Sequence, residues 1–177
     1  MTQHRVWKFG DNVDTDAIIP GRFLANWNSH PENLRKCCFV DVRPEFSAQV
    51  SPGDVIVGGR NFGCGSSRES APVSIRMSGV SMVIAESFGR IFYRNSINIG
   101  LLAIVSPDAV AGIRDGDCIA VDLGRGVIRN CTRDEEYGFT PFPSFIGKLV
   151  ELGGLGPYVR SRLGLEEQSE GEKAGKA

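Results

Sequence analysis

The chain has little histidine, no paired-cysteine motif, no excess of either charge and no long apolar run. Each shortage excludes something. His4 and His30 are the only imidazoles, and neither has a cysteine or carboxylate at metal-site spacing. A metal site built by this chain alone is therefore not expected. The five cysteines, Cys37, Cys38, Cys64, Cys118 and Cys131, are odd in number and form no C-x-x-C pair. That argues against both a disulfide framework and a zinc knuckle. Free thiols suit a reducing compartment, so a cytoplasmic location is expected. The 20 Lys and Arg nearly balance the 21 Asp and Glu, and a net charge of -1 leaves no broad field to draw nucleic acid or an acidic membrane. The most apolar stretch, residues 97–105, is interrupted by Asn98 and Gly100. It falls far short of the roughly 20 residues that span a bilayer. The first residues hold no apolar core of a leader, so no secretory signal is expected.

What the chain does have is an ordinary globular balance, 41% hydrophobic and 23% charged, enough for one sizeable core. Residues 6–9, 54–58, 81–85 and 101–105 read as strands, and 118–123 with 127–131 as a hairpin around Gly124-Arg125-Gly126. Residues 31–38, 68–77, 87–99, 107–113, 144–152 and 157–163 read as helices. Strands alternating with helices imply parallel pairing with crossovers, and the hairpin makes the sheet mixed. The expected fold is α/β, one domain over residues 1–163. From Gly164 the chain becomes Glu, Gly, Lys and Ser with almost no apolar residues, so 164–177 is expected as a disordered tail.

The most informative segment is Gly58-Gly59-Arg60-Asn61-Phe62-Gly63-Cys64-Gly65-Ser66-Ser67-Arg68-Glu69. A strand, a glycine loop and a helix start in that order aim backbone N–H groups at one spot. Arg68 adds a planar fork suited to a carboxylate. The loop has no lysine, so it is not a Walker A motif, and Arg68 occupies the third glycine position of a dinucleotide fingerprint. A carboxylate suits it better than a nucleotide. Ser66 and Glu69 also stand at capping-box spacing. A serine among N–H donors can equally be stabilised as an alkoxide and act as a base, and local pattern leaves both roles open.

Three segments carry a family resemblance: Asp14-Thr15-Asp16-Ala17-Ile18-Ile19-Pro20, Asn61 through Glu69, and Ser87-Phe88-Gly89-Arg90-Ile91-Phe92-Tyr93-Arg94-Asn95. With Pro141-Phe142-Pro143 and Gly153-Gly154-Leu155 in the same order, the chain resembles the small subunits of 3-isopropylmalate dehydratase, equivalent to the swivelling domain of aconitase. The resemblance implies a three-layer β/β/α fold. It implies that Ser66 is the general base, that Arg68 grips a substrate carboxylate with Ser67 and Thr15 beside it, and that Asp16 lines the same site. From local pattern Asp16 reads as a cap or Asx-turn before Ala17. The resemblance further implies a large partner subunit with a four-iron four-sulfur cluster, and none bound here. A chain purified without that partner is expected to self-associate through the uncovered face. Cys64 reads as a small residue that lets the loop pack closely, and Arg90 and Arg94 as ion-pair or subunit-contact residues.

After Pro20 the family carries a loop that senses the substrate's variable group. Here it includes Phe23, Leu24 and Ala25, and a small apolar Ala25 points to an alkyl-substituted malate such as 3-isopropylmalate. Arg22 stands against that reading, because its direction is not set by sequence. Alternatives are another substituted malate (dimethylmalate, citramalate or homoaconitate type) or a non-catalytic anion-binding module. Two positions depart from the family: Ser70 stands where it usually has histidine, and Gly89 where it usually has alanine.

Overall fold

The computed structural model describes residues 2–25, 27 and 30–165; of the tail expected at 164–177, residues 166–177 lie outside the described residues. The chain runs through β1 (Gln3–Lys8), α1 (Thr15–Ile18), 3-10 turns at Gly21–Phe23 and Pro31–Cys37, α2 (Phe46–Gln49), β2 (Val55–Gly58) and α3 (Ser70–Met77). It continues through β3 (Met82–Ala85), α4 (Arg90–Asn98), β4 (Leu102–Val105), α5 (Pro107–Gly112), β5 (Cys118–Asp122), β6 (Val127–Asn130), β7 (Glu135–Gly138), α6 (Ser144–Glu151) and α7 (Leu155–Leu163). The strands form one mixed sheet in the order β4-β3-β2-β1-β5-β6-β7. β1 to β4 are parallel, while β5 joins β1 antiparallel and continues as a meander through β6 and β7.

β2 and β3 are buried along their whole length. That explains why they read as unbroken apolar runs: a parallel strand is covered on both faces. Alternate residues enter two cores. Trp7, Ile56, Val83 and Ala85 face Ile18, Leu34, Phe46, Ala71, Ile75 and Phe92 from the helical side. Val6, Val55, Val57, Ile84 and Ile104 face Ala109 and Val110 of α5 and Ile119 and Ile128 of the meander. Helices, parallel strands and the curled antiparallel strands are thus three layers, the β/β/α arrangement expected from the resemblance.

Three departures from the sequence reading have physical reasons. β7 is an extra strand, illegible because Glu135 and Glu136 are polar and only Tyr137 packs inward, under Gly112. α2 is a single turn held by Phe46, whose ring meets Trp7 edge-on at 5.1 Å. α3 begins at Ser70 rather than 68, because the preceding residues are drawn away to α1.

Candidate active site

The loop that leaves β2 is stitched on both sides by backbone hydrogen bonds. On one side the Gly63 N–H donates to the Val13 carbonyl (2.7 Å) and the Thr15 N–H to the Cys64 carbonyl (2.9 Å). On the other, the Phe62 N–H donates to the Ser87 carbonyl (2.9 Å) and the Gly89 N–H to the Phe62 carbonyl (2.8 Å). These contacts include parallel bridges at Asp14–Cys64 and Phe62–Phe88. Three segments far apart in sequence therefore meet at one edge of the molecule.

Underneath, Phe62 packs edge-on against Phe88 (6.2 Å) and Phe92 (5.6 Å), and Phe88 stacks on Phe92. Gly63 lies on this aromatic floor with φ +75°, and a Cβ there would come within 2.1 Å of Phe92 Cγ. Gly89 is as tight: its Cβ would meet the Gly63 carbonyl oxygen at 2.6 Å. The glycine at 89 thus lets α4 start hard against the loop.

Ser66 is half-buried at the loop's end. Its Oγ lies 2.8 Å from Thr15 Oγ1 and accepts the Arg68 N–H at 3.4 Å, and its own N–H donates to Thr15 Oγ1 at 3.2 Å. The Arg68 guanidinium pairs with Asp16, whose carboxyl is held below its ordinary range chiefly by that hydrogen bond. Only one guanidinium nitrogen is engaged in this contact, leaving donors of Arg68 for another carboxylate. Ser67 is exposed, and its carbonyl accepts from Asn95 Nδ2 at 3.5 Å. Asn95 was legible only as part of a helix face, since its partner is a carbonyl 28 residues away.

The two capping expectations are corrected. α3 is preceded by Glu69, which makes no side-chain cap, so Ser66 and Glu69 do not form a capping box. The cap of α1 is Asp14, which accepts the Ala17 N–H at 2.7 Å, and not Asp16. Asp16, in the helix's first turn, is free to reach Arg68.

The variable-group loop runs beside this pair. A Cβ on Gly21 would lie 3.7 Å from Arg68 Nη2 and 3.8 Å from Asp16 Oδ1. Phe23 and Leu24 are half-buried against the helical-side core, and Ala25 is exposed. Arg22 is turned to Asp41, donating from both terminal nitrogens at 2.7 and 2.5 Å, and lies over the Phe23 ring. Ser70 is buried at the first turn of α3. The two imidazoles are engaged elsewhere, His4 on the Gly53 carbonyl and His30 beside Glu32. Arg90 and Arg94 are exposed, and among the described residues neither forms an ion pair.

The donor set of the described residues does not fit a metal cluster. Among the described residues no three His, Cys, Asp or Glu side chains come together as a metal group. Cys38 is fully buried, its thiol pushed up to about 12 by burial. Cys64 contributes its carbonyl, to Thr15. The described residues include no helix long and apolar enough to cross a membrane.

Residues 12–109 match the aconitase C-terminal domain, so the loop, the ion pair and the aromatic floor sit in an aconitase-type swivelling domain. The 3-isopropylmalate dehydratase small subunit of Caldanaerobacter subterraneus is 51% identical over 91% of this chain and 99% of its own length. That of Methanosarcina mazei is 53% identical over 88% of this chain and 94% of its own. The solved structure of 3-isopropylmalate dehydratase from Methanocaldococcus jannaschii superposes with a TM-score of 0.85 at 41% identity, covering 91% of this chain and 94% of that one. The chain belongs to the family of 3-isopropylmalate dehydratase small subunits.

Proposed function

We propose that this chain is the small subunit of a heteromeric hydro-lyase that interconverts 2- and 3-isopropylmalate in leucine biosynthesis. One observation carries the reading: Ser66 Oγ is set between Thr15 Oγ1 and the Arg68 N–H, with the Arg68 guanidinium in the same loop. Ser66 takes the proton from the carbon next to a substrate carboxylate, hydroxide leaves the neighbouring carbon, and the unsaturated diacid is rehydrated with the two positions exchanged. Arg68 holds a substrate carboxylate with the donors that Asp16 leaves free, and Asp16 anchors one nitrogen of the fork. Ser67 presents its N–H and hydroxyl to the same ligand, with its carbonyl tied back by Asn95. A four-iron four-sulfur cluster on the large subunit would supply the Lewis acidity that the residues of this chain do not provide.

Phe23, Leu24 and Ala25 border the alkyl group of the substrate. The engagement of Arg22 by Asp41 supports this choice, because a free arginine there would favour a third carboxylate. The half-site occupies one swivelling domain over residues 1–163 and works in the cytoplasm, docked on the large subunit. Its outer helices offer apolar side chains for docking: Ile91 of α4, and Leu155, Val159 and Leu163 at helical spacing on α7. The test is turnover of 3-isopropylmalate by this chain mixed with its large subunit, anaerobically reconstituted, with the Ser66→Ala variant alongside. Turnover by the wild-type mixture alone is expected. Activity only on dimethylmalate, citramalate or homoaconitate would overturn the choice of substrate, and absence of any hydration or dehydration would overturn the enzymatic reading.

A further inference from the structure

The reading of Ser66 as a base leaves a question of protons. A serine alkoxide carries no hydrogen, so each contact at its oxygen must be a donation toward it. Two groups stand within reach, the Arg68 N–H at 3.4 Å and Thr15 Oγ1 at 2.8 Å. The Thr15 oxygen already accepts the Ser66 N–H at 3.2 Å. Its single hydrogen is then directed across the shorter contact, and in the charged state the only orientation that satisfies both oxygens is Thr15 O–H to Ser66 Oγ.

Thr15 is held for this task from three sides. Its N–H donates to the Cys64 carbonyl, two residues before Ser66 (2.9 Å), its carbonyl accepts the Ile19 N–H at 3.0 Å, and Asp14 caps the helix that it opens. Thr15 is buried, at 1% exposure, so water has little access to its hydroxyl from the Thr15 side. The charged and titratable residues of the segments that meet at the pair are the Asp16–Arg68 ion pair, Asp14 and Cys64, with Glu69 next after Arg68 in sequence and Arg94 next before Asn95 on α4.

We infer that Thr15 is a positioning residue, the second donor of a two-donor hole that stabilises the Ser66 alkoxide, with the Arg68 N–H as the first. It acts through Ser66 and not on the substrate. The inference rests on Ser66 being the base. A hydrogen bond to the charged form favours that form, so Thr15 lowers the pH at which Ser66 becomes competent.

The experiment compares wild type, Ser66→Ala, Thr15→Val and Thr15→Ser in the complex with the large subunit, reading kcat and KM for 3-isopropylmalate across pH. Valine keeps the shape and removes the donor; serine restores it. The expected result for Thr15→Val is a fall in kcat of about 10- to 100-fold near neutral pH, an acid limb displaced upward by about one to two pH units, and little change in KM. Thr15→Ser should return the limb to its wild-type place. A Thr15→Val enzyme whose acid limb is unmoved, or a Thr15→Ser enzyme that folds and is not restored, overturns the inference. Should valine fail to fold or assemble, Thr15→Ala carries the same comparison, with the same direction of limb shift expected and an unmoved limb decisive against it. An inactive Ser66→Ala beside an unmoved Thr15→Val limb removes Thr15 alone. An active Ser66→Ala removes the serine base, and this inference with it.

Discussion

Gly63→Ala separates the two constraints that shape the glycine loop after β2. The residue sits at φ +75°, which costs an L side chain about 1–2 kcal/mol. Its new methyl would stand 2.1 Å from Phe92 Cγ and 2.5 Å from Cδ2, too close to remain. Phe92 is 1% exposed and stacked on Phe88, so it has little room to yield. Over-packing of this kind costs about 1–3 kcal/mol. The sum is about 2–5 kcal/mol, and its midpoint corresponds to a fall in Tm of roughly 7–14 °C for a chain of this size. Thermal and urea denaturation of the isolated subunit measure it. In a Phe92→Leu background the steric part is relieved, and the Gly63→Ala penalty should shrink to the backbone cost, about 1–2 kcal/mol. A Gly63→Ala protein melting within about 2 °C of wild type would refute the reasoning, as would an undiminished penalty in the leucine background.

Two further substitutions test parts of the frame away from the loop. Trp7→Phe removes the indole N–H that donates to Asp54 at 2.7 Å, leaving a buried carboxylate that still accepts the Ser51 backbone N–H. The expected loss is about 1.5–3 kcal/mol in urea unfolding, and an unchanged midpoint would contradict it. Asp115 is held below its ordinary value of 3.8, first by the side-chain hydrogen bond from Arg43. A carboxylate with a depressed folded pKa stabilises above its unfolded value and loses that stabilisation as pH falls through the folded one. Wild-type stability should therefore decline below about pH 4 more steeply than that of Asp115→Asn. Equal slopes in acid would contradict the assignment.

The sequence made some of this architecture readable and hid the rest. The parallel strands were legible because burial on both faces demands unbroken apolar runs such as Val55-Ile56-Val57. The glycine loop was legible because close approach to Phe62 and Phe92 excludes a Cβ at Gly58 and Gly63. Ser66 and Arg68 stood out by resemblance, in a motif that local spacing alone also assigned to a helix cap. That spacing misled because S-x-x-E presumes a chain already turning into a helix at Ser66. Here Gly63 and Gly65 take positive φ, Cys64 bridges Asp14, and the helix starts only at Ser70. The Thr15–Ser66 contact spans 51 residues and depends on the two backbone hydrogen bonds, Gly63 to Val13 and Thr15 to Cys64, that bring the segments together, so no local pattern announces it. Arg22 shows the same limit. Its identity was plain, but its direction depends on Asp41, which lies 19 residues on and carries no motif.

The most direct test of the central claim is hydro-lyase activity on 3-isopropylmalate by the reconstituted complex, wild type against Ser66→Ala, with assembly of the two subunits verified for both. The account predicts that both assemble and only the wild type turns over, since the variant keeps the loop and loses the base. A Ser66→Ala complex that assembles and dehydrates the substrate at the wild-type rate would contradict it.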